Sequence, residues 1–397
     1  MGNTAEEKNM KKLFSYKYLY PFVCIIFFIL IFIRPASILF RNIDYFFAKG
    51  YNLQYESLKS AYYSSQYAKK ENPGIMPDET FESFAGGAFV RGVNPILIVH
   101  EHPPLGRYII GLSTILFDNA KTLILPSLAT SVFGIFLIGK IILKKTLFAL
   151  IPLVIFVNEP LFVSKLTIAP LLEPIQLPFI IFSLYFFIRG IEGKKSLPWF
   201  MATSFMVGAV ISIRFFILGA ALFISMFIYM ILRKKLDKKA VQFVVSLPLS
   251  LIPLFASYTK TIIDGYSLLQ ILGVQKYIFA YHHSKNIDFF SFWDLLLFNR
   301  WHTWWGDRRI LHEVHWIIIW PIVTFLTYTS LVLMLFKKMK VSESRKALFI
   351  WIIVYSLLLS TGTSTTRYFL PLLPFFYILA VDLLLKIYEI RLNKVKR

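Results

Sequence analysis

The sequence predicts an all-α integral membrane protein with about ten transmembrane helices. Three observations carry the prediction. Apolar residues make up 57% of the 397 residues and charged ones only 16%, whereas a soluble domain is nearer half apolar and a quarter charged. The mean hydropathy is +0.62, and the apolar residues fall in runs of roughly 18 to 22, enough to cross a hydrocarbon core of about 30 Å. The Lys and Arg residues behind the formal charge of +21 sit in short clusters between those runs, as in cytoplasmic loops under the positive-inside rule. That placement excludes a nucleic-acid partner and makes membrane lipid the main surrounding.

The first run, 18–40, is too long for a signal-peptide core and no small-residue cleavage site follows it, so it reads as a retained anchor. It holds Cys24, the single cysteine, which rules out an intrachain disulfide and a cysteine-based metal site. Further spans fall near 121–143, 146–163, 168–188, 197–213, 215–232 and 240–259, then 316–336, 346–361 and 367–386. Two connections are long, 41–120 and 260–315. The basic clusters at Lys8/Lys11/Lys12/Lys17, Lys144/Lys145, Lys194/Lys195, Arg233–Lys239, Lys337–Lys346 and Lys394–Arg397 all fall on one side if both long loops are external. This requires the short apolar piece Leu105–Phe117 to lie in the interface rather than span. Both termini are then cytoplasmic in a multi-pass protein of the cell membrane. Tyr51, Tyr55, Leu58 and Tyr62 recur at helical spacing and mark a second interfacial helix, read as a tyrosine anchor at the membrane surface. No internal repeat or low-complexity linker appears, so 1–397 reads as a single transmembrane domain, with 41–120 and 260–315 as its first and second external loops.

The first long loop carries the sharpest motifs: Pro77-Asp78-Glu79-Thr80-Phe81, then Phe89-Val90-Arg91-Gly92-Val93-Asn94-Pro95, then His100-Glu101-His102-Pro103-Pro104-Leu105-Gly106-Arg107. An Asp-Glu pair alone is a weak signal. Followed about twenty residues later by His-Pro-Pro-Leu-Gly, on a predicted external loop after one span, it resembles the dolichyl-phosphate-mannose protein mannosyltransferases and the lipid A aminoarabinose transferases. In those families the pair usually follows the first helix closely; here about 38 residues intervene between 40 and 78. The resemblance is specific around 77–107, 169–174 and 366–371. It implies a GT-C type bundle with interfacial helices in the first external loop. It also implies a hexosyltransferase moving mannose or a similar sugar from a polyprenyl-phosphate-linked donor, such as dolichyl phosphate, at the external face. The acceptor stays open among protein hydroxyls (protein glycosylation), a glycan and a lipid headgroup.

A phosphate leaves as a stabilised anion, so the acceptor hydroxyl is the partner that needs help. A carboxylate within reach can take its proton. By resemblance Asp78, with Glu79 beside it, is the catalytic pair, Asp78 is the general base and the reaction inverts the anomeric carbon. From the residues alone, Pro-Asp-Glu-Thr is also a plausible helix start. Glu101 and His102 open the in-plane helix. In the aminoarabinose transferases the matching Glu is a metal ligand, and a divalent metal near Glu101/His102 stays open. Neighbours on an extended segment point opposite ways, so His100, Glu101 and His102 cannot all face one ion, and a hydrogen-bonding role is preferred. No cofactor is otherwise implied.

Glu173, in Ala169-Pro170-Leu171-Leu172-Glu173-Pro174, is an acid close to the membrane core and needs a partner or a wet cavity; Lys165 is one candidate. Arg214, Arg367 and Lys121 are isolated positives on the external side, where few are expected. Arginine binds phosphate oxygens in a planar fork, and by resemblance such residues hold the donor phosphate, with Tyr368 beside Arg367. Snorkelling to headgroups is the alternative. The second long loop contributes Tyr281-His282-His283, Ser291-Phe292-Trp293 and Trp301-His302-Thr303-Trp304-Trp305. His282 is the candidate substrate-binding residue there, and most of the aromatics read as an interface belt. His302, His312 and His315 match no zinc spacing. No nucleotide-binding motif appears, which favours a lipid-linked donor. A transporter or lipid flippase and a catalytically inactive partner subunit are the rivals. Transporters usually show repeats and broken midplane helices; here the ionisable residues gather at one face.

Overall fold

The computed structural model describes residues 5–98, 101–214, 216–233, 237–283, 288–303, 309–336, 341–362 and 364–395. Each predicted span has a helical counterpart. Among the described residues, Tyr20–Arg41, Ile124–Leu143, Leu172–Glu192 and Lys238–Ser257 are long and apolar enough to cross a membrane by length and composition. Thr146–Asn158, Leu197–Ile213, Ile217–Leu232 and Ile319–Leu335 are shorter apolar helices. Glu343–Leu359 and Leu373–Val395 complete the bundle.

The boundaries differ from the sequence reading where proline intervenes. The segment 146–163 breaks after Asn158, because Pro160 holds Glu159 extended (φ −75°, ψ 150°) before a short helix Pro160–Ser164. The segment 240–259 passes through a 3-10 turn, Leu247–Ser250, that contains Pro248. The last helix begins at Leu373 and not at 367. Thr366–Phe369 forms a separate 3-10 turn, and Pro371 lacks the N–H that a continuous helix would use.

Helix Leu172–Glu192 is the hub. Some 72% of its apolar window is buried, against 6% for Tyr20–Arg41. It packs on Leu197–Ile213, Ile124–Leu143 and Glu343–Leu359, while the first helix leans on Thr146–Asn158 from the periphery.

The first long loop folds around three longer helices, Tyr51–Tyr63, Asp78–Val90 and Leu105–Phe117, with the short helical turns Ile43–Phe47 and Pro95–Leu97 beside them, where two interfacial helices were expected. Asp78–Val90 and Leu105–Phe117 cross at Gly86 and Gly111. A Cβ on Gly86 would lie 2.8 Å from Ile110 and 2.9 Å from the backbone at Arg107 and Gly111, so side chains here would push the helices apart. The tyrosine stripe is not a membrane anchor. Tyr51 and Tyr62 are buried; the Tyr51 hydroxyl donates to Ser83 O at 2.7 Å, and Tyr62 stacks on Phe84 at 4.7 Å. The periodic face is covered by helix Asp78–Val90, which presents Phe81 and Phe84 to it. The residues between the first helix and Asp78 therefore fold back on the helix that Asp78 begins.

Candidate active site

Four of the predicted residues, distant in sequence, form one continuous chain of ion pairs. Asp78 opens its helix one residue after Pro77, whose ring suits the extended cap position. Its Oδ2 accepts from Arg367 Nη1 at 3.0 Å. Arg367 Nε lies 3.3 Å from Glu173 Oε1, and Arg214 Nη1 donates to the same oxygen at 2.8 Å. The Tyr368 ring lies under both guanidiniums, 5.1 Å from Arg214 and 5.9 Å from Arg367. Asp78 Oδ1 accepts from the Tyr67 hydroxyl at 3.0 Å.

Each member is delivered by a helix end. Glu173 lies in the first turn of Leu172–Glu192, where backbone N–H groups favour an acid. Arg214 is the extended residue that ends Leu197–Ile213 (φ −140°, ψ 175°). Arg367 rides on the 3-10 turn before the last helix. The second long loop holds that turn. Phe290 N bonds Ser360 O, the Trp293 indole donates to Ser360 Oγ, Ser291 Oγ donates to Gly362 O and the Trp301 indole donates to Ser364 O. Trp293 and Trp301 therefore brace the segment that presents Arg367. Glu313 adds a hydrogen bond to Thr366, and the His315 contact holds its carboxyl below the usual range.

Lys165 is 6% exposed. Burial pulls its ammonium down, and the charge of Glu173 works against that. The expected Glu173–Lys165 pair is replaced by the two arginines as the direct partners. Three cations (Arg214, Arg367, Lys165) thus face the carboxylates of Asp78 and Glu173, with Glu313 also acting on Lys165. Burial alone would lower the Arg367 guanidinium, but Glu173 and then Asp78 hold it above its ordinary range. It stays charged at any physiological pH. The arrangement offers an anion two guanidinium forks at the rim of a helical bundle, with a carboxylate at its side.

The remaining candidates lie elsewhere. The charge of Glu79 acts on a second cluster of Tyr45 and Lys121, where Lys121 Nζ sits 3.5 Å over the Tyr45 ring and the Tyr45 hydroxyl bonds both Ala169 O and Ala169 N. Glu101 and His102 stand at the entrance of helix Leu105–Phe117; the His102 carbonyl is 3.5 Å from Arg107 Nη1. Among the described residues no group of three or more His, Cys, Asp or Glu could hold a metal. His100 and the His282 side chain lie outside the described residues. His302 pairs with Asp294 at 3.1 Å, and His312 with Asn299 O at 2.8 Å.

Two contributors escaped the sequence reading. Tyr67 has no motif around it. Glu82 carries its own signal: it sits four residues after Asp78 on the same helix face. It forms a buried pair with Arg107, Nε to Oε2 at 2.8 Å and Nη2 to Oε1 at 3.2 Å. Arg107 is 1% exposed and stacks on Phe81 at 4.8 Å.

The helical bundle, whose first long loop folds into packed helices with acids and arginines gathered at one end, has a fold of the GT-C type. A model of the family described as dolichyl-phosphate-mannose-protein mannosyltransferase matches residues 101–260, a stretch that takes in Glu173 and Arg214. Among solved structures, the chain is similar to ArnT from Cupriavidus metallidurans, crystallised bound to undecaprenyl phosphate. The TM-score is 0.57 over 85% of this chain at 15% identity. The chain spans 60% of that protein's length. No curated protein sequence matches the chain.

Proposed function

We propose that the protein is an inverting glycosyltransferase that takes a sugar from a polyprenyl-phosphate donor and passes it to an acceptor hydroxyl. The observation that carries this reading is the ion-pair chain Asp78–Arg367–Glu173–Arg214. It joins an anion-binding arginine pair to a half-exposed carboxylate. The family match and the fold shared with a polyprenyl-phosphate-binding protein support the same substrate class.

The donor phosphate lies against Arg214 and Arg367, with Lys165 adding its charge. The prenyl tail runs down the bundle and fixes the phosphate, so that attack becomes effectively unimolecular. The acceptor oxygen attacks the anomeric carbon from the side opposite the phosphate, and its proton passes to Asp78. The bond from the anomeric carbon to the phosphate oxygen breaks and its electron pair stays on the phosphate. The phosphodiester monoanion thereby becomes a monoester with a second negative charge. The arginines meet that charge as it develops, where a preorganised donor contributes most. Asp78 is bound to Arg367. As the phosphate draws Arg367 away, Oδ2 becomes available to the acceptor.

The site sits at the ends of helices Leu172–Glu192 and Leu197–Ile213 opposite Lys194 and Lys195, which join their other ends. With the basic clusters cytoplasmic, the site faces outward and the whole chain acts as one transferase unit. The sugar is mannose or a related hexose; protein, glycan and lipid hydroxyls are the acceptor classes.

The test is sugar transfer from a polyprenyl-phosphate sugar in detergent by the wild type and Asp78→Asn. Removing a general base is expected to lower kcat by about 10²–10⁴-fold. Equal transfer by the two proteins contradicts the base assignment, and a wild type inert with every lipid-linked donor contradicts the function.

A further inference from the structure

We propose that Tyr67, in the segment between the first membrane helix and Asp78, is the positioning residue of the base; this rests on the reading of Asp78 above. The Tyr67 hydroxyl donates to Asp78 Oδ1 at 3.0 Å. Its ring is held by stacking on Phe81 at 4.2 Å and 21°. The backbone beside it is held as well. The Gln66 amide clamps Met76 from both sides, Nε2 donating to Met76 O and Oε1 accepting from Met76 N, each at 2.8 Å. Gln66 N bonds Gly74 O at 3.0 Å, and Gly74 N bonds Ser64 O at 2.9 Å. The segment 64–76 is thus a closed frame, with Tyr67 on one limb and Asp78 two residues beyond the other.

Asp78 needs such a frame. Its side chain is 51% exposed, and a carboxylate at an open helix start has rotational freedom that solvent does not restrict. With Oδ1 engaged by Tyr67, the carboxylate keeps one orientation when Arg367 leaves, and Oδ2 stays aimed at the place Arg367 vacates. Burial and then the Asp78 charge push the Tyr67 hydroxyl well above its ordinary range. It therefore keeps its proton and acts only as a donor. The separation of Asp78 from the first helix is what makes room for this device. A pair following the membrane helix directly would leave no chain to place a tyrosine behind it.

Tyr67→Phe removes the hydroxyl and leaves the ring stack intact. The expected result is a kcat lower by about tenfold, the size of one hydrogen bond to a charged group, with the donor KM and the affinity for decaprenyl phosphate unchanged. In an Asp78→Asn background the same substitution is expected to change nothing further, because the group it orients no longer takes a proton. An unaltered kcat in Tyr67→Phe, beside an active wild type, would overturn the proposal and leave the base assignment standing. So would a loss that adds in full to that of Asp78→Asn, since that marks a purely structural role. A wild type without transfer from any lipid-linked donor would overturn both.

Discussion

At the scale of single residues, Arg367 holds a position that decides the order of events. Its guanidinium satisfies Asp78 and Glu173 at once, so a phosphate must compete with carboxylates for it. Removing the competitor makes room. Asp78→Asn is expected to bind polyprenyl phosphate several-fold more tightly than the wild type while losing transfer, a factor of ten corresponding to about 1.4 kcal/mol. Titration of the purified variants with decaprenyl phosphate, read by intrinsic fluorescence or calorimetry, checks this; equal or weaker binding contradicts a shared Arg367. Glu173, Arg214 and Arg367 were legible in the sequence because an ionisable residue beside a membrane span needs a reason to be there, and Asp78 was legible only through the motif it shares with the family it resembles. Their mutual contacts were not legible. Asp78 and Arg367 are 289 residues apart, and nothing in either neighbourhood names the other. Tyr67 was invisible because no motif surrounds it and its partner Asp78 is reached only through the fold of segment 64–76.

At the scale of elements, the pair Asp78–Val90 and Leu105–Phe117 sets the position of Asp78. Gly86 and Gly111 let the helices touch, and the buried Glu82–Arg107 pair fixes their register one turn from Asp78. Arg107→Met leaves the Glu82 carboxylate buried without its cation, which costs about 3–5 kcal/mol. Glu82→Gln combined with Arg107→Met is expected to regain much of that stability, because replacing both partners leaves no uncompensated charge. Thermal melts in detergent separate the two; equal melting temperatures for the single and double variants would show that the pair holds nothing. The extent of Leu105–Phe117 could be read from its flanking prolines and its short apolar length. Burial of the Tyr51–Tyr63 helix could not. Helical periodicity says that a face is covered, not what covers it, and the partner here is another helix rather than lipid. Proline explains why the predicted spans 146–163, 240–259 and 367–386 are each interrupted or shortened.

At the scale of the whole molecule, the bundle separates two ends chemically. Acids and arginines close one end, and the turns at Lys144/Lys145 and Lys194/Lys195 carry the basic clusters of the other. The fold class was legible because apolar run length and loop charge are physical constraints of the bilayer. The orientation expected from the same charge asymmetry is directly testable. In a Cys24→Ser background, Glu71→Cys is expected to react with a membrane-impermeant maleimide in intact cells, and Lys195→Cys only after permeabilisation. Both positions are exposed. The opposite labelling pattern would place the site in the cytoplasm.

The phosphate site proposed between the two arginines is tested most directly by binding, without sugar or acceptor. Decaprenyl phosphate titrated into the wild type, Arg214→Gln, Arg367→Gln and the double variant should show saturable binding to the wild type. Each single variant should weaken it by about tenfold or more, as expected for one charge-assisted contact, and the double variant should abolish it. Undiminished binding by a folded double variant would mean that the lipid phosphate sits elsewhere.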